Sequence, residues 1–164
     1  MQKNILLTGF HNTSAELLLK DAHGIETIIL PNDRIMDAQI LIKMISKESF
    51  DLVFSVGQRP NIKNKVHIET TAADAKDSVV SGFDCCGLAK LFEKNGIPAK
   101  ISYNAGTSYC NQLYLNGLRY LYQNNSATQM VFIHIPFEKN ISDFADFQKR
   151  FYSVIEVYRD CINF

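Results

Sequence analysis

Short apolar runs alternate along this sequence with longer stretches whose apolar residues recur at helical spacing, and this alternation constrains the fold most. The first run, residues 5–7, is apolar throughout and is followed by Thr8 and Gly9, as in a strand of a parallel sheet that is buried on both faces. Strands are predicted at residues 3–8, 26–30, 51–56, 66–73, 99–103 and 129–134, and helices at residues 15–20, 36–46, 83–94, 107–122 and 143–162. Alternating strands and helices predict an α/β fold, a three-layer α/β/α sandwich with a mostly parallel central sheet.

The composition is typical of a globular domain, and we expect a single domain spanning residues 1–164. Apolar residues make up 46% of the chain, and 17 basic residues balance 17 acidic residues. A chain without net charge has no overall field that would attract nucleic acid or an anionic membrane, so neither is expected as a partner. The start of the chain lacks an apolar signal-peptide core, and no apolar run is long enough to span a membrane, which favours a cytoplasmic protein.

The cysteines are also consistent with a cytoplasmic protein. The chain has four of them, at positions 85, 86, 110 and 161, and their spacing is not that of a zinc site. The adjacent pair Cys85 and Cys86 cannot easily bridge to each other. Reduced thiols in the cytoplasm are the simplest interpretation, and we expect neither a metal nor a cofactor.

Cys110 lies just after a predicted strand-to-helix turn that contains Ala105 and Gly106. The free N–H groups and aligned peptide dipoles at a helix N-terminus favour an anion. We therefore expect the pKa of this thiol to be lowered, which would produce the nucleophilic thiolate. The alternative interpretation is that Cys110 is a small buried apolar residue of the helix.

Two other segments contain the groups that such a nucleophile requires. His134 ends the predicted strand at residues 129–134, and Glu69 lies within the extended segment 66–73. A thiol, an imidazole that transfers protons and a carboxylate that orients the imidazole form a cysteine-peptidase triad. The alternatives are a hydrogen-bonded core histidine and a solvated glutamate. His67 is a rival base, because it lies two residues from Glu69 and on the same face of the strand.

The segments around these residues resemble the motifs of the pyroglutamyl peptidase I family, also called the pyrrolidone-carboxylate peptidases. The family has an Ala-Gly turn followed by Cys-Asn, a Phe-Ile-His-Val-Pro pattern, an Ile-Glu-Arg-x-Ala-x-Asn pattern and a first strand that ends in Thr-Gly-Phe. The matching segments here are Ile5-Leu-Leu-Thr-Gly-Phe10, Ile68-Glu-Thr-Thr-Ala-Ala-Asp74, Ala105-Gly106 with Cys110-Asn111, and Phe132-Ile-His-Ile-Pro136. They occur in the order that the family shows.

The resemblance implies an enzyme that removes an N-terminal pyroglutamyl group through an acyl-enzyme. It assigns Cys110 as the nucleophile, His134 as the general base and Glu69 as the residue that orients the base. It also implies that Phe10 belongs to an apolar pocket for the pyrrolidone ring. Residues 57–58, Gly57 and Gln58, match the turn after the third strand and are expected at the substrate. The expected partner is a peptide or small amide substrate, and a homo-oligomeric assembly stays open.

The sequence departs from the family where the pocket walls should be. The family has a glycine-rich loop after its first strand, whereas residues 9–11 run directly into residues 12–14 here. The family's arginine after the glutamate is Thr70, and its later asparagine is Asp74. We therefore expect a wider site with altered or lost pyroglutamyl specificity. A cysteine hydrolase of a different small amide, or a non-catalytic binding protein that retains the fold, are the alternatives.

Overall fold

Six strands form one central sheet in a computed structural model that describes residues 2–161. They are β1 (Ile5–Phe10), β2 (Glu26–Leu30), β3 (Leu52–Arg59), β4 (Val66–Glu69), β7 (Ala99–Ser102) and β8 (Gln129–Pro136), in the spatial order β2-β1-β3-β8-β4-β7. Neighbouring strands are parallel except for β4 and β8, which are antiparallel. Two short strands, β5 (Thr71–Ala73) and β6 (Ser78–Val80), form a separate antiparallel hairpin.

Helices cover both faces of the sheet. They are α1 (Ser14–Leu19), α2 (Met36–Lys47), α3 (Cys85–Lys94), α4 (Tyr109–Gln123) and α5 (Phe144–Arg159). Helices α1, α3 and α5 pack on one face, and α2 and α4 pack on the other. This arrangement confirms the predicted α/β/α sandwich with a mostly parallel sheet. None of the helices within residues 2–161 has the length and apolar character needed to cross a membrane.

The structure differs from the sequence prediction at several element boundaries. Strand β3 continues beyond Gly57 as far as Arg59, because its backbone pairing with β8 extends to Arg59 and Pro136. The predicted strand 66–73 is broken at Thr70, and its second half pairs with β6, which the sequence did not suggest. The last helix ends at Arg159; residue 162, its predicted end, lies outside the described residues.

The turn after β1 is short because the following helix is capped directly. The Thr13 hydroxyl accepts a hydrogen bond from the Glu16 amide, and the Glu16 carboxylate accepts one from the Asn12 amide at 2.7 Å. This pattern is a variant of the capping box, in which the carboxylate bonds to the amide one residue before the N-cap. Asn12 adopts a φ of 55°, a left-handed conformation that asparagine tolerates better than most residues. The chain therefore passes from Phe10 into α1 without a loop that could fold over the sheet edge.

Helix α4 is fixed to the strand that contains Glu69. The buried Tyr114 hydroxyl donates a hydrogen bond to the Glu69 carbonyl oxygen at 2.9 Å. The Asn111 side chain accepts a hydrogen bond from the Ala73 amide and donates one to the Ala73 carbonyl, at 3.0 and 2.7 Å. These contacts hold the start of α4 in a fixed relation to the end of β4 and to β5.

Replacing Tyr114 by phenylalanine should therefore destabilise the protein without leaving a cavity. The change removes the donor to a buried carbonyl, which costs about 1–2 kcal/mol of unfolding free energy. Urea denaturation of the wild type and of Tyr114→Phe would measure this difference. The exposed Tyr103 offers a matched control, since its hydroxyl has no hydrogen-bond partner among the described residues and Tyr103→Phe should cost little. Equal stability of Tyr114→Phe and the wild type would show that the hydroxyl does not support the strand.

Candidate active site

The structure brings Cys110 and His134 to neighbouring positions above the sheet. Gly57 on β3 is the register partner of His134 on β8, so both residues face the same side of the sheet on adjacent strands, about 4.8 Å apart. The Cys110 sulfur lies over Gly57, where an added Cβ would approach it to 2.5 Å. Within the described residues, no hydrogen bond joins the thiol to the imidazole.

Glu69 is hydrogen-bonded to the far side of the imidazole. Its Oε1 lies 2.7 Å from His134 Nδ1, and the Glu69 side chain is completely buried. A carboxylate in this position favours the tautomer in which Nδ1 has the proton and donates it, leaving Nε2 as an acceptor. The imidazole is thereby prepared to take a proton on the side away from Glu69.

Arg59 is a component of the site that sequence reasoning missed. Its Nη1 donates hydrogen bonds to Glu69 Oε1 at 2.9 Å and to the Asn104 carbonyl at 3.0 Å. A guanidinium paired with a buried carboxylate offsets part of the cost of burying that charge. The signal was available, because Arg59 lies two residues after Gly57 and so shares its face if the strand continues. The predicted strand ends at residue 56, however, so this contact was not expected.

Burial overrides the expected activation of the Cys110 thiol. The residue is 7% exposed, and this burial raises the pKa of Cys110 to about 12, although the Ser108 side chain and the Cys110 amide act in the opposite direction. The lowered pKa expected from the helix N-terminus is therefore wrong for the free protein. The helix dipole favours an anion only modestly, whereas desolvation penalises the thiolate more strongly.

A cavity of about 320 Å³ lies beside the thiol, on the side of β1. Its walls include Phe10, Thr13, Gln58, Tyr109, Cys110 and Phe137. The Gln58 side-chain oxygen accepts a hydrogen bond from the Ser14 amide at 3.0 Å, so it also anchors the start of α1. Of the three residues predicted to contact substrate, Phe10 and Gln58 line this cavity, and Gly57 lies beneath the thiol.

His67 lies on the same face but is not connected to the other groups by hydrogen bonds. It is the register partner of His134 across the β4–β8 pair, and both of its ring nitrogens are buried without a hydrogen-bond partner. It makes no contact of this kind with Cys110, so the geometry favours His134 as the base. Among the described residues, no group of three potential metal ligands is close enough together to hold a metal ion.

Gly57 should tolerate no side chain. An alanine Cβ there would lie 2.5 Å from the Cys110 sulfur and 2.9 Å from the Phe132 ring, so the thiol must shift. A displacement of about 1 Å can lower the rate of a positioned reaction by roughly 100-fold. Gly57→Ala should therefore lose most hydrolytic activity, measured with a reporter amide.

The matched control for this substitution is Gly82→Ala, because an added Cβ at Gly82 has its nearest contact 3.7 Å away, at the Tyr122 hydroxyl. Thermal unfolding of both variants would separate a local shift from general destabilisation. Full activity in a folded Gly57→Ala protein would contradict the position assigned to the thiol.

The raised pKa of Cys110 predicts how its alkylation depends on pH. A thiol with a pKa of about 12 is protonated at neutral pH, and its thiolate fraction grows about tenfold per pH unit. The iodoacetamide rate of Cys110, followed by peptide mass spectrometry, should therefore rise continuously between about pH 7 and 10. His134→Ala should show the same slope. A plateau near neutral pH that disappears in His134→Ala would instead indicate a preformed thiolate–imidazolium pair.

Comparisons with known proteins agree with the motifs. A family model described as pyroglutamyl peptidase matches residues 85–146, which include Cys110 and His134. The pyrrolidone-carboxylate peptidase of Oceanobacillus iheyensis is 28% identical over an alignment of 201 positions that covers 98% of this chain and 100% of that protein. The corresponding enzyme of Bacillus licheniformis is 29% identical, covering 84% of this chain and 80% of its own.

Solved structures share the fold. The pyroglutamyl peptidase I of Bacillus amyloliquefaciens superposes with a TM-score of 0.85 at 21% identity, covering 97% of this chain and 95% of that chain. The pyrrolidone carboxyl peptidase of Thermococcus litoralis gives 0.81 at 19% identity, covering 96% and 94% of the two chains. The family model, the relatives and the common fold all show that this 164-residue chain is similar to the pyroglutamyl peptidases.

Proposed function

We propose that this protein is a cysteine peptidase that removes an N-terminal pyroglutamyl group, or a similar small acyl group, from a peptide or amide. This proposal rests on the relative positions of the Cys110, His134 and Glu69 side chains. The thiol lies over the register partner of His134, and Glu69 Oε1 lies 2.7 Å from the opposite ring nitrogen. The relatives and the family match support the same activity class.

In this mechanism, His134 takes the thiol proton as the sulfur attacks the scissile carbonyl. Proton transfer to His134 accompanies the attack in this mechanism, which is general-base catalysis. Collapse of the tetrahedral intermediate breaks the C–N bond, and the proton on His134 passes to the departing amine. Water then attacks the thioester with His134 again acting as base, which releases the acid and restores the thiol.

The start of α4 provides donors for the oxyanion. The amides in the first turn of a helix have no partner within the helix, and the side chain of Ser108, the residue before α4, does not cap them. No acidic residue lies in the first turn of α4 to compete for these amides. The Cys110 amide lies close to its own sulfur, so an oxyanion formed on the attacked carbonyl would lie near these N–H groups.

The acyl group would bind in the cavity on the β1 side of the thiol. Phe10 contributes an apolar ring there, packed against Phe132 with ring centroids 6.3 Å apart. Asn12 and Thr13 lead directly into α1, so no loop closes over the outer wall. A less enclosed cavity holds a small apolar ring with less buried area and weaker binding. The proposed enzyme would therefore accept pyroglutamyl substrates poorly compared with a full-length relative.

Cytoplasmic location and self-association belong to the same proposal. Cys85, Cys86 and Cys110 are free thiols, which suits a reducing compartment. Ile35 and Met36, at the start of α2, are 68% and 50% exposed, and a second copy of the chain would remove such apolar side chains from water. Light scattering of the purified protein would give the oligomeric state.

A fluorogenic pyroglutamyl arylamide tests the proposed function. We expect slow, measurable hydrolysis, at least about tenfold below that of a full-length relative in kcat/KM, because the pocket wall is shortened. Cys110→Ala should abolish it, and Cys86→Ala, which removes an exposed thiol, should not. Hydrolysis that survives in Cys110→Ala would exclude the proposed nucleophile. Turnover equal to that of the relative would show that the missing loop is unimportant.

A further inference from the structure

One register row of the central sheet aligns four groups on the face that holds the thiol. Gly57 pairs with His134, His134 pairs with His67, and His67 pairs with Lys100. Register partners on neighbouring strands present their side chains to the same face. The Cys110 sulfur lies over Gly57. The row therefore begins at the thiol, continues with the imidazoles of His134 and His67, and ends with the ammonium group of Lys100 on the edge strand β7.

The two sides of the thiol would hold different parts of a substrate. The cavity with Phe10 lies on the β1 side of Cys110, and it would receive the acyl group. His134 lies on the opposite side and protonates the departing amine in the proposed mechanism. A leaving group on this side of the thiol passes His134 first, and the next groups of the row are His67 and Lys100.

His67 has unused hydrogen-bonding capacity in this direction. The residue is 9% exposed, and neither ring nitrogen has a hydrogen-bond partner. A buried polar group left without a partner is unfavourable, so a ligand that supplies the partner is favoured. Burial, and then the charge of Arg59, lower the pKa of His67. The neutral ring has one donor and one acceptor, which match the carbonyl and N–H of a peptide unit.

Positive charge surrounds this end of the row. Arg59, Lys65 and Lys100 are all close enough to His67 to affect its ionisation electrostatically. The only anion among these neighbours is Glu69, which is already engaged by Arg59 and His134. Lys100 is exposed and forms no ion pair with any residue in the range 2–161 that the structure describes. An anionic group placed here would meet an uncompensated cation.

We propose that the His67–Lys100 end of the row is a leaving-group subsite for a short peptide with a free C-terminal carboxylate, about two residues after the scissile bond. This inference rests on the proposed peptidase function and adds its substrate class. Three strand spacings of about 4.8 Å separate Gly57 from Lys100. Two extended residues span about 7 Å, and the four-carbon stem of Lys100 covers much of the rest. His67 binds the peptide unit, and Lys100 binds the carboxylate.

The test measures binding to Cys110→Ala, which cannot turn substrate over. Calorimetry compares pyroglutamyl-Ala-Ala that has a free C-terminus with the same peptide amidated. The free acid should bind about three- to fivefold more tightly, the range of a partly exposed ion pair. The preference should approach one at about 0.5 M salt. Adding Lys100→Gln should abolish the preference, and the matched change Lys94→Gln, on exposed α3 surface, should preserve it.

A second variant tests His67 separately. His67→Phe should weaken the binding of both peptides. His67→Gln, which keeps a donor and an acceptor, should bind them more tightly than His67→Phe does. If Cys110→Ala bound the free acid and the amidated peptide equally well, or bound neither peptide, the proposed subsite would be overturned. The arylamide has no peptide unit or carboxylate after the scissile bond, so its hydrolysis by the wild type tests the proposed function without the subsite. Failure of that hydrolysis in the wild type would refute the proposed function and leave the binding comparison intact.

Discussion

The fully buried carboxylate of Glu69 is the constraint on which the rest of the site depends. A carboxylate removed from water requires compensation by charge and hydrogen bonds. Here His134 and Arg59 donate to the same oxygen, at 2.7 and 2.9 Å, while Tyr114 holds the backbone carbonyl of Glu69. These contacts come from β8, β3 and α4, so one buried charge sets the relative positions of the elements that surround the thiol.

The thiol is constrained differently, by packing. Cys110 rests on Gly57, where even one methyl group would collide with the sulfur, and burial keeps the thiol protonated by raising its pKa to about 12. In the proposed mechanism, the protonated thiol stays unreactive until a substrate carbonyl and the acceptor nitrogen of the imidazole are both in place. The proposed site would therefore depend on the positions of these groups for its reactivity.

The sequence revealed the order of strands and helices because β1, β3 and β8 are buried and largely apolar, while the segments between them have apolar residues at helical spacing. It did not reveal that β4 is antiparallel to β8, since apolar patterning contains no information on strand direction. The residues at the end of β3 are polar, so this part of the strand was not predicted. The contact between Arg59 and Glu69 was therefore missed. The pKa of Cys110 was predicted in the wrong direction because sequence indicates a helix start but not how deeply its second residue is buried. The roles of Cys110, His134 and Glu69 remain proposals that rest on geometry.

The central claim is that Glu69 fixes the tautomer of His134, so that Nε2 accepts the thiol proton. The most direct measurement is ¹H–¹⁵N NMR of the His134 ring, which reveals which of its two nitrogens has the proton. The account predicts a protonated Nδ1, hydrogen-bonded to Glu69 and shifted downfield, and a bare Nε2. In Glu69→Gln this downfield signal should be lost. A proton found on Nε2 in the wild type would contradict the account, because His134 could not then act as the base for Cys110.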